Sequence, residues 1–237
     1  MWLLKKWIAQ NVKSTGNDIV ALQAINRQRT NRFRFYSKIL CDSEQSLYNR
    51  QEFAELPFEE FVWLLWSIKE SVYKYLKRIV PALVFSPTKI IIHRIDSPCR
   101  HTITNFGYIQ RENNSNEAGE EFYKSVILFG SFVLYSRSII HDELIFTVAS
   151  NDENFENIWW GIKLIDTAKN DHQSKAVREF VLYRLNSFLP GFQDNLQIGK
   201  NRIGCPVVLN GATEMNIPVS LAHDDHFIAY SFLLMHP

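Results

Sequence analysis

Residues 58–79 constrain the fold of this chain more than any other segment. Pro57 precedes them and Pro81 follows them, so residues that open and stop helices bound the segment. Its apolar side chains spread around much of the helical cylinder instead of forming one stripe, which is typical of a helix that other elements cover. The sequence therefore predicts a long, largely buried helix from Phe58 to about Ile79.

After this helix, apolar residues alternate with a period of two, which is typical of strands. We predict antiparallel strands at 89–95, 103–110, 125–136 and 144–148, with a polar loop at 111–120. Further short strands are predicted at 17–22, 196–198, 207–209, 219–222 and 227–234. Helical spacing recurs at 33–40, after Asp42 or Ser43, and from Ser174 to about Leu189. The chain is therefore expected to be α+β, with helices packed on antiparallel sheet.

The composition excludes several classes of protein. The chain has 237 residues, of which 46% are hydrophobic and 22% charged, so it is neither disordered nor fibrous. Its 26 Lys and Arg residues balance 25 Asp and Glu residues. This balance argues against a nucleic-acid or membrane partner, because no strong overall field attracts phosphates.

The cysteines and the apolar runs bear on location. Cys41, Cys99 and Cys205 are far apart and odd in number, which favours free thiols in a reducing compartment. Lys5 and Lys6 interrupt the apolar start of the chain, which is unlike a signal peptide. The longest apolar run, 126–135, is shorter than the ~20 residues that span a bilayer. We expect a cytoplasmic protein.

Three segments carry side chains suited to chemistry. Asp18 stands at the start of an apolar strand, and Glu70 and Lys74 are four residues apart on the predicted buried helix. The third segment is Gly204-Cys205-Pro206 with the later Val219-Ser220-Leu221-Ala222-His223-Asp224. Taken singly, these residues also have structural interpretations. Asp18 is then a hydrogen-bond acceptor at a turn, and Glu70 with Lys74 is a helix salt bridge. Gly204-Cys205-Pro206 is then a tight turn, and His223 is a hydrogen-bonded histidine at a strand end.

Other chemistries lack their motifs. The histidines and cysteines show none of the paired spacings of zinc sites, and no G-x-S-x-G of a serine hydrolase occurs. The chain contains neither a P-loop nor a G-x-G-x-x-G sequence, so nucleotide binding by those routes is not expected.

Taken together and in this order, the three segments resemble the motifs of the 4′-phosphopantetheinyl transferases. That family carries a G-x-D-[IV] strand, a W-x-x-K-E-[SA]-x-x-K helix, and a G-x-P segment followed by S-[IL]-[SA]-H. The matching residues here are Gly16 to Ile19, Trp66 to Lys74 with Lys69-Glu70-Ser71, Gly204 to Pro206, and Ser220 to His223. Residues 35–44 also resemble the family's F-x-x-K-[IV]-x-[ST]-x-x-E, with Cys41 at the Ser or Thr position.

The motif order is that of the small holo-acyl-carrier-protein synthases, which are about half this length and trimerise. The larger, monomeric members contain two similar halves, with the Ser-x-x-His half first. From the resemblance we infer a monomer built as a pseudo-dimer of two similar α+β halves in the reverse order. The polar spacer 151–157 suggests that residues 1–150 carry the Asp strand and the Lys-Glu helix. Residues 151–237 then carry the Gly-x-Pro and Ser-x-x-His segments.

The resemblance implies a reaction between coenzyme A and a serine of an apo acyl or peptidyl carrier protein, which releases 3′,5′-ADP. It implies Mg²⁺ held by Asp18 and Glu70, with Glu70 also a candidate base and Lys74 a phosphate ligand. The remaining nucleotide contacts are assigned to Lys69, Ser220, His223, Lys200 and Arg202, with a solvated position as the other interpretation of Lys69.

Two departures from the family pattern favour an alternative. Val20 stands where larger members often have Glu, and Cys205 stands where the family often has a phosphate-binding Lys. A non-catalytic module that binds coenzyme A or a carrier protein would tolerate both changes.

A basic patch consists of Arg27, Arg29, Arg32, Arg34 and Lys38. It is either a solvated face or a dock for an acidic carrier-protein helix or a phosphate.

Overall fold

The computed structural model describes residues 13–98, 122–141, 143–192 and 195–235, and over these ranges the protein is α+β. The helices are α1 (Arg27–Thr30), α2 (Phe33–Tyr36), α3 (Asp42–Tyr48), α4 (Phe58–Ile79) and α5 (Asn170–Phe188). The first sheet consists of β1 (Gly16–Ala21), β2 (Ile91–Asp96), β3 (Tyr123–Phe129), β4 (Phe132–His141) and β5 (Leu144–Ser150). The second consists of β6 (Ile158–Leu164), β7 (Leu196–Lys200), β8 (Pro206–Asn210), β9 (Thr213–Asp224) and β10 (Phe227–Leu233).

The two sheets have the same topology. Both are five-stranded and antiparallel, with the orders β1-β5-β4-β3-β2 and β6-β10-β9-β8-β7. In each half the long helix, α4 or α5, lies in sequence between the first strand and the second. The expected α+β fold with two similar halves is therefore confirmed, while the division at residue 150 stays a prediction.

Several element predictions are corrected. The single strand predicted at 125–136 is wrong, because Gly130 has φ +58° and turns the chain into the β3–β4 hairpin. Strand β6 was not predicted, and the helical spacing at 33–40 yields only the short α2. The predictions for 103–110 and 111–120, and for Cys99, lie outside the described residues.

Helix α4 is the centre of the first half. Its bounds are those predicted, and side chains such as Phe61, Leu65, Ile68 and Val72 have no exposed surface. They pack against β1 and β5 of the first sheet. Each fully buried side chain of this size stabilises the fold by about 1.5–3 kcal/mol. None of the helices described above has the length and hydropathy of a bilayer-spanning segment.

Strand β1 is the edge of the first sheet, and the second half covers that edge. The backbone N–H of Asn17 donates to Ser220 Oγ at 3.1 Å, and the N–H of Ala21 donates to Asp224 Oδ2 at 2.8 Å. The two donors on β1 and the two acceptors on β9 have the same four-residue spacing. Side chains of β9 therefore satisfy N–H groups that an edge strand otherwise leaves unpaired.

Gly16 lets β1 approach α4 closely. A Cβ atom at this position would lie 2.0 Å from the carbonyl oxygen of Ser71 and 2.7 Å from the backbone nitrogen of Tyr75. Backbone atoms cannot move aside as a flexible side chain can. The glycine of the Gly-x-Asp motif is thus required by packing, and it brings Asp18 against the helix that carries Glu70 and Lys74.

We expect Gly16→Ala to lower the free energy of unfolding by about 1–3 kcal/mol, because the added methyl group forces β1 away from α4. Chemical denaturation measures the loss. Gly191→Ala is the matched control, since no atom lies within 4 Å of a Cβ built there, and its effect should stay within about 0.5 kcal/mol. Equal effects of the two substitutions would contradict this account of Gly16.

Candidate active site

A cleft of about 770 Å³ opens where β1, α4 and the end of β9 meet. Its acidic end is lined by Asp18 of β1, Glu70 of α4 and Asp224 of β9, with His223 beside them. Residues far apart in the sequence thus meet because β1 is held between α4 and β9. The cleft therefore draws its charged side chains from both halves of the chain.

Asp18 is the most confined of these carboxylates. It is 7% exposed, and its Oδ1 accepts a hydrogen bond from Lys74 Nζ at 3.0 Å. Lys74 Nζ also donates to the backbone oxygen of Asn17 at 3.0 Å. The other oxygen, Asp18 Oδ2, is buried and has no hydrogen-bond partner. A buried carboxylate oxygen without a partner is costly, and a bound cation is the kind of group that would satisfy it.

Glu70 lies on the same face of α4 as Lys74, one turn before it. Burial raises the pKa of Glu70, the charge of Asp18 raises it further, and Lys74 opposes both effects. The two carboxylates predicted to hold a metal are thus close enough to repel each other. No three His, Cys, Asp or Glu side chains converge on one point within the described ranges. Mg²⁺ accepts such a site, since one or two protein carboxylates and several waters satisfy it.

Alternation along β9 separates the residues of the Ser-x-x-His segment. Ser220 and Asp224 face β1, whereas Val219 and Leu221 face the core beneath α5. His223 lies at the mouth of the cleft, and its pKa is lowered by burial and by the charges of Lys74 and Arg178, against Asp224. This cationic neighbourhood suits an anion. Ser220 is instead 4% exposed and bonded to Asn17, so its predicted nucleotide contact gains no support.

Lys69 is neither solvated nor at the cleft, which corrects both interpretations of this residue. Its side chain has no exposed surface, and Nζ donates to Glu44 Oε2 at 2.6 Å and to the backbone oxygen of Ile39 at 2.7 Å. Glu44 also accepts from the backbone N–H groups of Cys41 and Ile92. The Lys69–Glu44 pair joins α4 to α3 and β2.

Cys41 is the N-cap of α3 in place of the predicted Asp42 or Ser43. This N-cap places Glu44 at position N3, where a Glu side chain reaches back to the N-cap backbone.

The Gly-x-Pro segment forms a closed turn away from the cleft. Asn201 Oδ1 accepts from the N–H groups of Ile203 and Cys205, and Gly204 has φ +82°. These N–H groups are therefore occupied and do not form an anion-binding loop. Lys200 and Arg202 are exposed on and after β7 and do not line the cleft. Neither stands where the nucleotide contact predicted for it would need it.

The basic patch is divided by the structure. Arg29 and Lys38 line the cleft, with the Arg29 guanidinium 5.0 Å from the centre of the Phe35 ring. Arg27 instead forms ion pairs with Glu59 and Glu60 at 3.6 Å. One wall of the cleft is aromatic, and neighbouring rings contact one another in the order Phe35, Trp63, Trp66 and Phe85. The cleft is thus lined by cationic, aromatic and acidic side chains.

Sequence reasoning gave Asp224 no role, and it missed the aromatic wall. A signal for Asp224 was present, because a strand with a period of two places residues 220, 222 and 224 on one face. The family motif ends at His223, so the resemblance implies no role for Asp224. For the wall, Trp63 and Trp66 are three residues apart on α4, which places them together. Phe85 joins them only through the turn after the helix.

We expect Glu70→Gln to stabilise the protein at pH 7 in the absence of divalent cations. The raised pKa means that the folded state must hold Glu70 ionised at a cost at neutral pH. Below the pKa of the unfolded chain the carboxyl is protonated in both states, so the cost disappears. Melting temperatures of both proteins from about pH 4 to pH 8 should therefore diverge as the pH rises. A difference that does not change with pH would contradict this expectation.

Replacing Lys69 tests whether its role is structural. We expect Lys69→Met to cost about 3–5 kcal/mol of stability, because Glu44 would remain buried without a counter-charge. Lys175→Met is the control, since this lysine is 78% exposed in an ion pair with Glu179 and should change stability by less than about 1 kcal/mol. Denaturant unfolding measures both, and similar small losses would leave Lys69 available for another role.

Comparison with known proteins bears on the first half of the chain. The model of the 4′-phosphopantetheinyl transferase superfamily matches residues 14–122, which contain Asp18, Glu70 and Lys74. A search of curated proteins found no match. The matched family is the one whose motifs the sequence resembles, and its match supports a 4′-phosphopantetheinyl transferase. The recognition of this chain as similar to the 4′-phosphopantetheinyl transferase superfamily is therefore confirmed over residues 14–122.

Proposed function

We propose that this protein transfers 4′-phosphopantetheine from coenzyme A to a serine of an apo acyl or peptidyl carrier protein. The observation that carries the proposal is Asp18 Oδ2, a buried carboxylate oxygen without a partner in a cleft shared with Glu70. This oxygen lies within the part of the chain that the superfamily model matches. The phosphate chemistry of that superfamily calls for a cation at such a carboxylate.

Mg²⁺ is the cation that the donor set favours. Asp18 and Glu70 supply hard oxygen ligands, and the cleft is open enough for the waters that Mg²⁺ retains. When bound, Mg²⁺ neutralises negative charge that develops on the phosphate oxygens. Lys74 holds Asp18 through Oδ1, so Oδ2 is the oxygen directed to the ion. Asp18 and Glu70 are the residues we propose as its protein ligands.

The transfer exchanges one bond to phosphorus for another. The serine oxygen forms a bond to the phosphorus that bears the pantetheine arm, and the bond from that phosphorus to the 3′,5′-ADP oxygen breaks. Glu70 is the proposed acceptor of the serine proton, and its raised pKa brings its basicity closer to neutral pH. The 3′,5′-ADP leaves with the electron pair of the broken bond.

Lys74 and His223 are the proposed phosphate ligands. Lys74 is 25% exposed beside the carboxylates, so its ammonium can contact a phosphate oxygen while it holds Asp18. His223 lies at the mouth of the cleft near Lys74 and Arg178. Phosphates arriving there favour its charged form, since negative neighbours raise the pKa of a histidine. We assign no nucleotide contact to Lys69, Ser220, Lys200 or Arg202.

Arg29 and Lys38 are the proposed contacts for the carrier protein. They lie at the cationic end of the cleft, where an acidic helix would place its own serine toward the acidic end. Charge complementarity of this kind raises association rates and selects the partner. Because both halves contribute to the cleft, we further propose that one chain forms the complete site as a monomer.

The proposal predicts a mass increase of one phosphopantetheine on an apo acyl carrier protein incubated with this protein, coenzyme A and Mg²⁺. Intact mass spectrometry measures the product. Asp18→Asn and Glu70→Gln should each reduce the transfer rate at least about 100-fold, because a metal ligand or the base is lost. Glu179→Gln, which removes an exposed carboxylate of α5, should leave the rate unchanged.

Each outcome decides between the two functions. Transfer that is lost in both site variants but kept in the control supports the enzyme and its carboxylate pair. No transfer to carriers of fatty-acid, polyketide and peptide-synthetase types would overturn the proposal. The non-catalytic module would then be favoured, and Val20 and Cys205, where the family often has Glu and Lys, are the residues consistent with it.

A further inference from the structure

Asp224 is a carboxylate at the acidic end of the cleft that none of the roles above uses. It is the last residue of β9 and lines the cleft together with Asp18 and Glu70. Its Oδ2 accepts from the backbone N–H of Ala21 at 2.8 Å. That hydrogen bond fixes the side chain at the end of β1, three residues beyond Asp18.

The surroundings of Asp224 are electrostatically unfavourable without a cation. Burial raises the pKa of its carboxyl, and the charges of Asp18 and Asp225 raise it further, against the backbone N–H groups of Ala21 and Asp225. Asp18 also repels Glu70. Carboxylates of three elements thus lie at the cleft, where Lys74 pairs with Asp18.

An independent observation indicates that a ligand belongs here. Asp18 is 7% exposed, and its Oδ2 is buried without a partner although the residue lines the cleft. A hydrogen-bond donor or a cation would satisfy this oxygen. The cluster thus contains an unsatisfied acceptor as well as mutually repelling carboxylates.

We propose that Asp224 is a positioning residue for the divalent cation, which it holds through the ion's hydration water from the second half of the chain. This inference rests on the proposed function for the cation itself. Since no three acidic or imidazole groups of the described chain converge on one point, Asp224 acts through water and not as a direct ligand. Mg²⁺ keeps several waters in its sites, and carboxylates that bind such waters orient and strengthen the site.

Val20 is the next residue on the face of β1 that carries Asp18. It is apolar and 4% exposed, packs in the core with α4, and lines the cleft. The first half thus supplies Asp18 and Glu70 without a third acidic group near them on β1. Asp224 adds one negative charge at the same end of the cleft.

Binding of Mn²⁺ to the full chain, followed by the electron paramagnetic resonance signal of the free ion, tests the inference without any transfer reaction. We expect Asp224→Asn to weaken Mn²⁺ binding about 10–100-fold, as does the loss of other outer carboxylates. The amide oxygen can still accept from Ala21, so the melting temperature should change little. Asp18→Asn and Glu70→Gln should weaken binding more.

Two control variants test whether a loss of Mn²⁺ affinity in Asp224→Asn comes from the charge of Asp224. The alternatives are any nearby negative charge and the hydrogen bonding that holds β1. Asp225→Asn removes the adjacent charge at a residue that does not line the cleft and has φ +48°, which Asn tolerates. Ser220→Ala removes the other hydrogen bond to the β1 edge without changing charge. Both should bind Mn²⁺ as the unchanged protein does.

The possible results are distinguishable. Unchanged Mn²⁺ affinity in Asp224→Asn, with loss in Asp18→Asn, would overturn the inference and leave the proposed carboxylate pair intact. Equal losses in Asp224→Asn and Ser220→Ala would also overturn it, because the effect would then come from the position of β1. Absence of Mn²⁺ binding by the unchanged protein would contradict the proposed metal pair as well, whereas the transfer experiment tests the reaction itself.

Discussion

The site depends on how strand β1 is held. One edge pairs with β5, one face lies against α4 at Gly16, and the N–H groups of the free edge bond to side chains of β9. Together these contacts fix the strand that carries Asp18, and the one to Asp224 also joins β1 to the cleft from the side of β9. A shift of β1 in any of the three directions would separate Asp18 from Lys74, Glu70 or Asp224. The position of the acidic cluster is therefore a consequence of packing on three sides.

Stability and site chemistry oppose each other in this region. Burial raises the pKa of Glu70 and Asp224, and Asp18 retains a buried oxygen without a partner. Each feature destabilises the folded chain when no cation is present. The surrounding core offsets the cost, since α4 is buried along most of its length and Lys69 with Glu44 connects it to α3 and β2. Proteins commonly tolerate such unfavourable groups where a ligand binds.

Much of the fold could be predicted because its signals are local. Prolines and the all-round apolar pattern define α4, and alternation defines most strands. The β3–β4 hairpin was missed because its two strands read as one alternating run, and only the positive φ of Gly130 separates them. The carboxylates of the site could be named from their motif. The partners of Lys69 and Ser220 could not be predicted. Lys69 bonds to Glu44 and Ser220 to Asn17 because tertiary packing brings them together, and sequence spacing does not reveal such contacts.

The repeated topology gives the second half a role that its sequence does not reveal. Both sheets have one strand order, but the halves contribute different groups: β1 and α4 carry Asp18, Glu70 and Lys74, whereas β9 ends in His223 and Asp224. Val20, two residues after Asp18 on the same face of β1, is 4% exposed and packs with α4, so β1 supplies one carboxylate to the cleft. At the open end of β9 a carboxylate reaches the cleft and keeps a backbone hydrogen bond. The second half therefore adds charged groups to the cleft beyond those that β1 and α4 supply.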